Sequence, residues 1–223
     1  ERMQRQERLA TLGELAAGIH HELKNPLAAV RASTFALGER RAVRADARAR
    51  LLLDRIDSNL ARATEIITDL LSFARLKEPS RQEVELEALV QAAVARVNLP
   101  ASSRLTLNLD PELPKAFVDT AQVEQILVNL LSNAFDACGA HAGEVRISSR
   151  LQAGSLAIIV NDDGEGIEPD ALERVFEPLY STKPEGVGLG LALSQHLALA
   201  NGGLITIKSI PGQGTTATLT LNR

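Results

Sequence analysis

What most constrains the fold of this chain is an apolar rhythm at its start: Leu9, Leu12, Ala16, Ile19, Leu23, Pro26 and Val30 recur in alternating steps of three and four. Such a pattern is the a/d seam of a helical bundle or coiled coil. With Ile19 at d, His20 falls at e on the flank and His21 at f, directed away from the core. A rigid helix would then hold the His21 imidazole toward solvent. Glu22 is placed to accept or orient a ring proton, and Asn25 lies one turn further along the same face. Pro26 removes a backbone donor one turn after Glu22. The spacing alone fits a solvated polar face with a helix kink equally well.

This first helix should run to about Gly38, with a short Arg- and Ala-rich connection around 39–46. A second helix carries Leu52, Ile56, Asn59, Ala63, Ile66, Leu70 and Phe73, and Leu53, Leu60, Ile67 and Leu71 widen its stripe. One hairpin cannot bury stripes this wide, whereas two hairpins in a four-helix bundle can, so the pattern predicts a homodimer. Pro79 stops the second helix. Residues 1–78 thus read as an all-α helical hairpin, 79–85 as a linker and first strand, and 82–223 as a second domain.

Composition narrows the function classes. A net charge of −4 does not indicate a nucleic-acid groove. No apolar run approaches the roughly 20 residues that span a membrane, and no signal peptide is visible. The one cysteine, Cys138, precludes an internal disulfide and fits a reducing, cytoplasmic compartment, as a small core residue at a helix end. Because the chain opens Glu1-Arg2-Met3 in mid-pattern, the expectation is a fragment, with any membrane anchor of a longer protein lying upstream.

From about residue 82 the pattern is mixed. Strands are expected at 82–84, 104–109, 116–118, 144–151, 156–161, 203–209 and 214–221, with helices at 86–97, from Asp119 and Thr120 as caps, and at 188–201. Several neighbouring strands are close enough for antiparallel hairpins, which predicts an α+β two-layer sandwich.

Four segments in this half suit a nucleotide. Asn129 and Asn133 share one helix face. Each costs roughly half a kcal/mol relative to Ala inside a helix, and amide oxygens are hard ligands suited to Mg²⁺; a polar helix edge would also explain them. Asp162-Asp163-Gly164-Glu165-Gly166 follows a strand, where glycines let a backbone approach a ligand and a buried aspartate can accept from an adenine amino group. A plain acidic turn accounts for it equally well. Gly186, Gly188 and Gly190 open an apolar helix, whose N–H groups and dipole favour phosphate, though no compact βαβ unit makes them a dinucleotide fingerprint. Between these lies Phe176-Glu177-Pro178-Leu179-Tyr180-Ser181-Thr182-Lys183-Pro184, a loop long enough for a lid, in which Lys183 would supply a charge near a γ-phosphate. An exposed loop lysine is the plainer account.

Together and in this order, the segments resemble the catalytic core of a sensor histidine kinase of two-component signalling, over essentially the whole chain, and are most similar to the nitrogen-regulation-type kinases. His-Glu-Leu-Lys-Asn-Pro-Leu looks like the family's phosphoacceptor box; the asparagines, Asp-x-Gly-x-Gly, Phe-Glu-Pro and Gly-x-Gly-x-Gly look like its ATP-binding boxes; Gly212-Gln213-Gly214-Thr215 matches its last glycine motif. Tyr180 stands where many relatives have phenylalanine. The resemblance implies an ATP-binding domain of the gyrase, histidine-kinase and MutL type. His21 would accept the phosphoryl group and Glu22 would take its ring proton. Asn133 would bind Mg²⁺ with Asn129 nearby, Asp162 would recognise adenine, and Lys183 would contact phosphate. Gly164, Gly166, Gly186, Gly188 and Gly190 would shape the pocket and lid, and Thr215 would support the adenine end. Glu22 followed three residues later by Asn25 implies a second activity, dephosphorylation of a response regulator. The implied partners are ATP, a response-regulator receiver domain and a second copy of the chain, with no nucleic acid and no membrane contact.

Two other readings fit the residues less well. Gyrase-like ATPases use a catalytic Glu in the asparagine-box helix, where Asn129 stands here, and serine kinases of the superfamily lack the hairpin of residues 9–76. A non-catalytic scaffold would not require intact glycine and asparagine motifs.

Overall fold

A computed structural model describes residues 27–40, 46–74, 78–100, 103–139, 143–152, 154–183 and 188–222. The chain forms two compact units, dividing between Leu76 and Lys77.

In the first unit, helix α1 (27–38) and helix α2 (Ala47–Ala74) form a hairpin. Asp46 starts α2 by accepting from the Arg48 and Ala49 amides at 2.9 and 3.2 Å. Leu53 and Leu60 are buried, and Leu53 lies under Gly38, where an added Cβ would meet it at 3.5 Å. One polar pair bridges the two helices: Thr34, 9% exposed, donates to Asp57 Oδ1 at 3.0 Å. Val30, Phe35, Leu37, Leu51, Leu52 and Ile56 stay exposed. The single hairpin therefore leaves an apolar stripe open. No helix among the described residues is long and apolar enough to cross a membrane.

The second unit is an α+β sandwich. Its elements are β1 (Gln82–Val84), α3 (Leu86–Arg96), β2 (Arg104–Asn108), β3 (Ala116–Val118), α4 (Thr120–Cys138), β4 (Glu144–Gln152), β5 (Ser155–Asp162), the single turn α5 (Pro169–Leu172), α6 (Gly190–Ala200), β6 (Gly203–Ile210) and β7 (Gly214–Leu221). Five strands form one sheet in the order β2-β4-β5-β7-β6, and β1 pairs with β3 in a separate antiparallel ribbon. Helices α4 and α6 pack on one face of the large sheet, and α3 packs against α4. Its core packs Ile126, Leu127 and Leu131 of α4 against Ile147, Ile158, Leu219 and Ile205, all at most 2% exposed.

Pairing departs from the expected hairpins at one place. β2 runs parallel to β4, because β3 leaves to join β1, and only β4-β5, β5-β7 and β6-β7 are antiparallel in the large sheet. β2 also stops at Asn108 rather than Leu109, since Asp110 begins a turn, accepting from the Glu112 amide at 3.0 Å. Where β5 ends and β7 begins, Asp162 stands opposite Thr215.

Candidate functional site

The clearest part of the site is built at the end of β5. Asp162 closes that strand with 5% of its surface exposed, on the helix-covered face. Backbone amides of Gly164 and Thr215 both donate to its Oδ1, at 3.0 and 3.2 Å. Among the described residues no donor reaches Oδ2, so this oxygen is left to accept from a ligand. Burial raises the carboxyl above its ordinary range, partly offset by those two amides. A buried acceptor with half its capacity unused fits an exocyclic amino group.

Thr215 and Ser209 continue the row. Asp162 pairs with Thr215 across β5-β7, and Thr215 with Ser209 across β6-β7, so the three side chains share one face. The β6-β7 turn is tied down at Gly212, whose amide donates to Glu165 O at 2.7 Å.

The glycines of this segment pack against the protein's own backbone. A Cβ on Gly164 would lie 2.6 Å from the Ala137 backbone of α4, and Gly166, at φ +72°, turns against the Ile210 carbonyl. Gly214, at φ +98°, is pressed on the Asp162 carbonyl. At these positions what approaches closely is the protein's own backbone. The glycines let strand ends and helix end close around Asp162.

Helix α4 supplies the next wall. Asp119 caps it, accepting from the Gln122 amide at 3.0 Å, as the sequence predicts. Asn129 donates from Nδ2 to Ser194 of α6 at 2.8 Å, and its Oδ1 faces Gly190, where any side chain would collide with it. Asn129 thus locks the first turn of α6 to α4. Asn133, half-buried on the same face, makes no hydrogen bond among the described residues. No cluster of three or more His, Cys, Asp or Glu able to hold a metal occurs among the described residues. A metal here would depend on amide oxygen, water and phosphate, which fits Mg²⁺. Asn133 is the freer ligand of the two.

The loop after β5 forms the third part. Arg174 stacks over the Tyr180 ring at 4.1 Å and bonds Glu177 at 3.1 Å. Leu179 holds φ +66°, rare for a bulky residue, and its amide donates to Gly188 O at 2.9 Å. Gly188, at φ +71°, sits directly against the Tyr180 backbone. Lys183 does not stand free: its Nζ lies 2.9 Å from Asp136 Oδ2 on α4, three residues beyond Asn133. The Cys138 thiol, buried at the end of α4, is pushed up to about 11 by burial and by the neighbouring Asp162 and Asp163, which makes it inert.

The structure therefore gathers Asp162, Thr215, Gly164, Gly166 and Gly190 with Asn129 along α4, α6 and the strand ends, and places Lys183 beside Asp136 of α4. His20, His21, Glu22, Asn25 and Gly186 lie outside the described residues. Ser194, Ser209 and Asp136 were missed from the sequence. Ser194 alone had a signal there, as a lone hydroxyl within the apolar Leu191–Ala200 run.

Residues 118–223 match the family described as histidine kinase-, DNA gyrase B- and HSP90-like ATPase, and residues 11–79 match the His Kinase A (phospho-acceptor) domain. The signal transduction histidine-protein kinase AtoS of Escherichia coli K12 is 38% identical over 99% of this chain and 36% of its own length. The sensor histidine kinase ZraS of the same strain is 33% identical over 99% of this chain and 48% of its own length. The crystal structure of full-length ShkA in complex with AMPPNP superposes with a TM-score of 0.76 at 27% identity, over 93% of this chain and 45% of that one. The chain spans less than half the length of the curated relatives it matches here.

Proposed function

Since this chain belongs to the sensor histidine kinases of two-component systems, we propose that it transfers the γ-phosphoryl group of ATP to His21 and then to an aspartate of a response regulator. The observation that supports this most strongly is Asp162, a buried carboxylate whose Oδ1 is saturated by two backbone amides while Oδ2 faces no protein donor among the described residues. Such a group reads the amino edge of adenine, with Thr215 beside it.

The proposal divides the work by domain. Residues 1–78 dimerise and carry the phosphoacceptor, 79–85 supply a linker and first strand, and 82–223 bind ATP. Glu22 removes the proton from one imidazole nitrogen of His21 while the other attacks the γ-phosphorus. An N–P bond forms, the bridging P–O bond breaks, and ADP leaves with its electron pair. Lys183 exchanges Asp136 for phosphate oxygens, and Gly186, Gly188 and Gly190 present α6 and its preceding turn to the phosphates. Asn133 and Asn129 would hold Mg²⁺, which would neutralise phosphate charge. Asn25, one turn from Glu22, orients water for dephosphorylation of the regulator. The open stripe of Phe35, Leu52 and Ile56 suits burial against a second copy. The kinase core works in the cytoplasm.

The test is autophosphorylation with γ-labelled ATP and Mg²⁺ in wild type, His20→Gln and His21→Gln. Acid-labile, base-stable label that disappears only in His21→Gln is the expected result. Label lost in His20→Gln but kept in His21→Gln would overturn the acceptor and the heptad register behind it. Asn25→Ala should keep its kinase activity and lose dephosphorylation of the regulator; retained phosphatase activity would remove that role.

A further inference from the structure

We infer that Ser209 is a positioning residue: it fixes the Thr215 hydroxyl as a hydrogen-bond acceptor, and so makes the site select an amino-bearing purine over a 6-oxo purine. This rests on the reading of Asp162 and Thr215 as the base end of the ATP site.

Counting protons fixes the arrangement. Ser209 Oγ has three neighbours: the Ile167 amide at 2.8 Å, the Gly214 carbonyl at 3.0 Å and Thr215 Oγ1 at 2.9 Å. The amide can only donate and the carbonyl can only accept. Ser209 owns one proton, and giving it to Gly214 O is the assignment that satisfies all three contacts. The Thr215 proton must then point at Ser209. Were Ser209 to donate to Thr215 instead, two lone-pair-bearing oxygens would face each other at 3.0 Å.

With its proton committed, Thr215 Oγ1 has only lone pairs to offer a ligand. Thr215 is the cross-strand neighbour of Asp162 on the same face, and Asp162 Oδ2 also only accepts when ionised. Two acceptors side by side welcome the donor at position 6 of adenine and repel the carbonyl of hypoxanthine or guanine. Gly214 belongs to this arrangement: its carbonyl accepts from Ser209, and at φ +98° an added Cβ would strike the Asp162 carbonyl.

The test measures ATP and ITP affinities of the 223-residue chain with Mg²⁺, by displacement of a fluorescent ADP analogue. Wild type should prefer ATP. In Ser209→Ala the Thr215 hydroxyl is free to rotate and donate, so the ATP-over-ITP preference should fall about tenfold, the worth of one hydrogen bond. Ser209→Thr, which keeps the hydroxyl, should restore it. Equal weakening of both nucleotides, or an unchanged preference, in Ser209→Ala would overturn the inference. Thr215→Val removes the acceptor directly and must also lower the preference; an unchanged ratio there overturns it even if Ser209→Ala does not fold. Asp162→Asn separates the premises, because its amide would welcome a 6-oxo group. If Asp162→Asn leaves the ratio alone, the base-site reading itself fails; if it shifts the ratio and Ser209→Ala does not, only the role of Ser209 fails.

Discussion

The two ends of the proposed nucleotide site are built in opposite ways. Around Asp162 the polar contacts are made by backbone: two amides fix the carboxylate, and the Gly164 and Gly214 contacts leave no room for side chains. Around Lys183 the loop is held mostly by side chains: partly exposed ion pairs of Lys183 with Asp136 and of Arg174 with Glu177, and a cation-π stack, beside the Leu179 amide bond to Gly188. A base is one rigid shape, so a preformed site reads it at little entropic cost. Phosphates change charge and number through the reaction, and contacts that exchange partners suit them better. The bulky Leu179 at φ +66° belongs to this second style, since strain of this kind collects where a segment is switched.

Substitutions can break this contrast, and the largest effect should come from the rigid end. Gly164→Val drives its side chain into the Ala137 backbone, 2.6 Å from where the Cβ must sit. We expect about 3 kcal/mol of destabilisation, read as a clear fall in Tm. Gly188→Ala meets the Tyr180 backbone at positive φ but in a loop that can shift, so about 1 kcal/mol is expected. Equal losses would erase the distinction between the two ends.

Asp162→Asn comes next. Its oxygen can still take the two amides, so the domain should fold, while a donor replaces Oδ2 against the adenine amino group. ATP affinity should drop about thirtyfold, or roughly 2 kcal/mol, in calorimetric titration. The same residue sharpens the comparison through pH. Burial raises its folded pKa, so the carboxylate protonates earlier on acidification than an ordinary aspartate. ATP affinity should therefore decline as pH falls through that raised value, and the decline should vanish in Asp162→Asn. Stability runs the other way. A folded pKa above the unfolded one gives stability at low pH that is lost as pH rises through the folded value. The nucleotide-free Asp162→Asn variant should accordingly melt higher than wild type at neutral pH.

The smallest effect is expected at the Lys183 end. Lys183 and Asp136 are 34% and 62% exposed, so solvent screens their pair. Asp136→Asn should change stability by less than about 0.5 kcal/mol. Lys183→Ala should likewise leave Tm in place while slowing phosphoryl transfer, a separation that a structural role for the lysine could not produce.

Much of the fold was legible. Alternation in Leu105-Thr106-Leu107 and in β7, the Asp119 cap and the apolar face of α4 all depend on neighbours a few residues away, and the elements appear where those signals lie. The single turn at Pro169–Leu172 was not, because four residues carry no period. The parallel pairing of β2 with β4 was equally hidden, since it follows from β3 pairing with β1 and not from any feature of β2 itself. Within the candidate site, Asp162 stood out by its motif, but Ser209 could not: its meaning is its register opposite Thr215.

The sequence by itself determined the order of helices and strands, the apolar stripes of the hairpin and the motif residues of the nucleotide domain, because periodicity, caps and turn chemistry act over a few bonds. Tertiary structure alone decided that Gly164 and Gly190 make room for Ala137 and Asn129, that Lys183 rests on Asp136, and that Ser209 Oγ meets the Thr215 hydroxyl. Those contacts join residues brought together by strand register and helix packing, and both are set by the whole core at once.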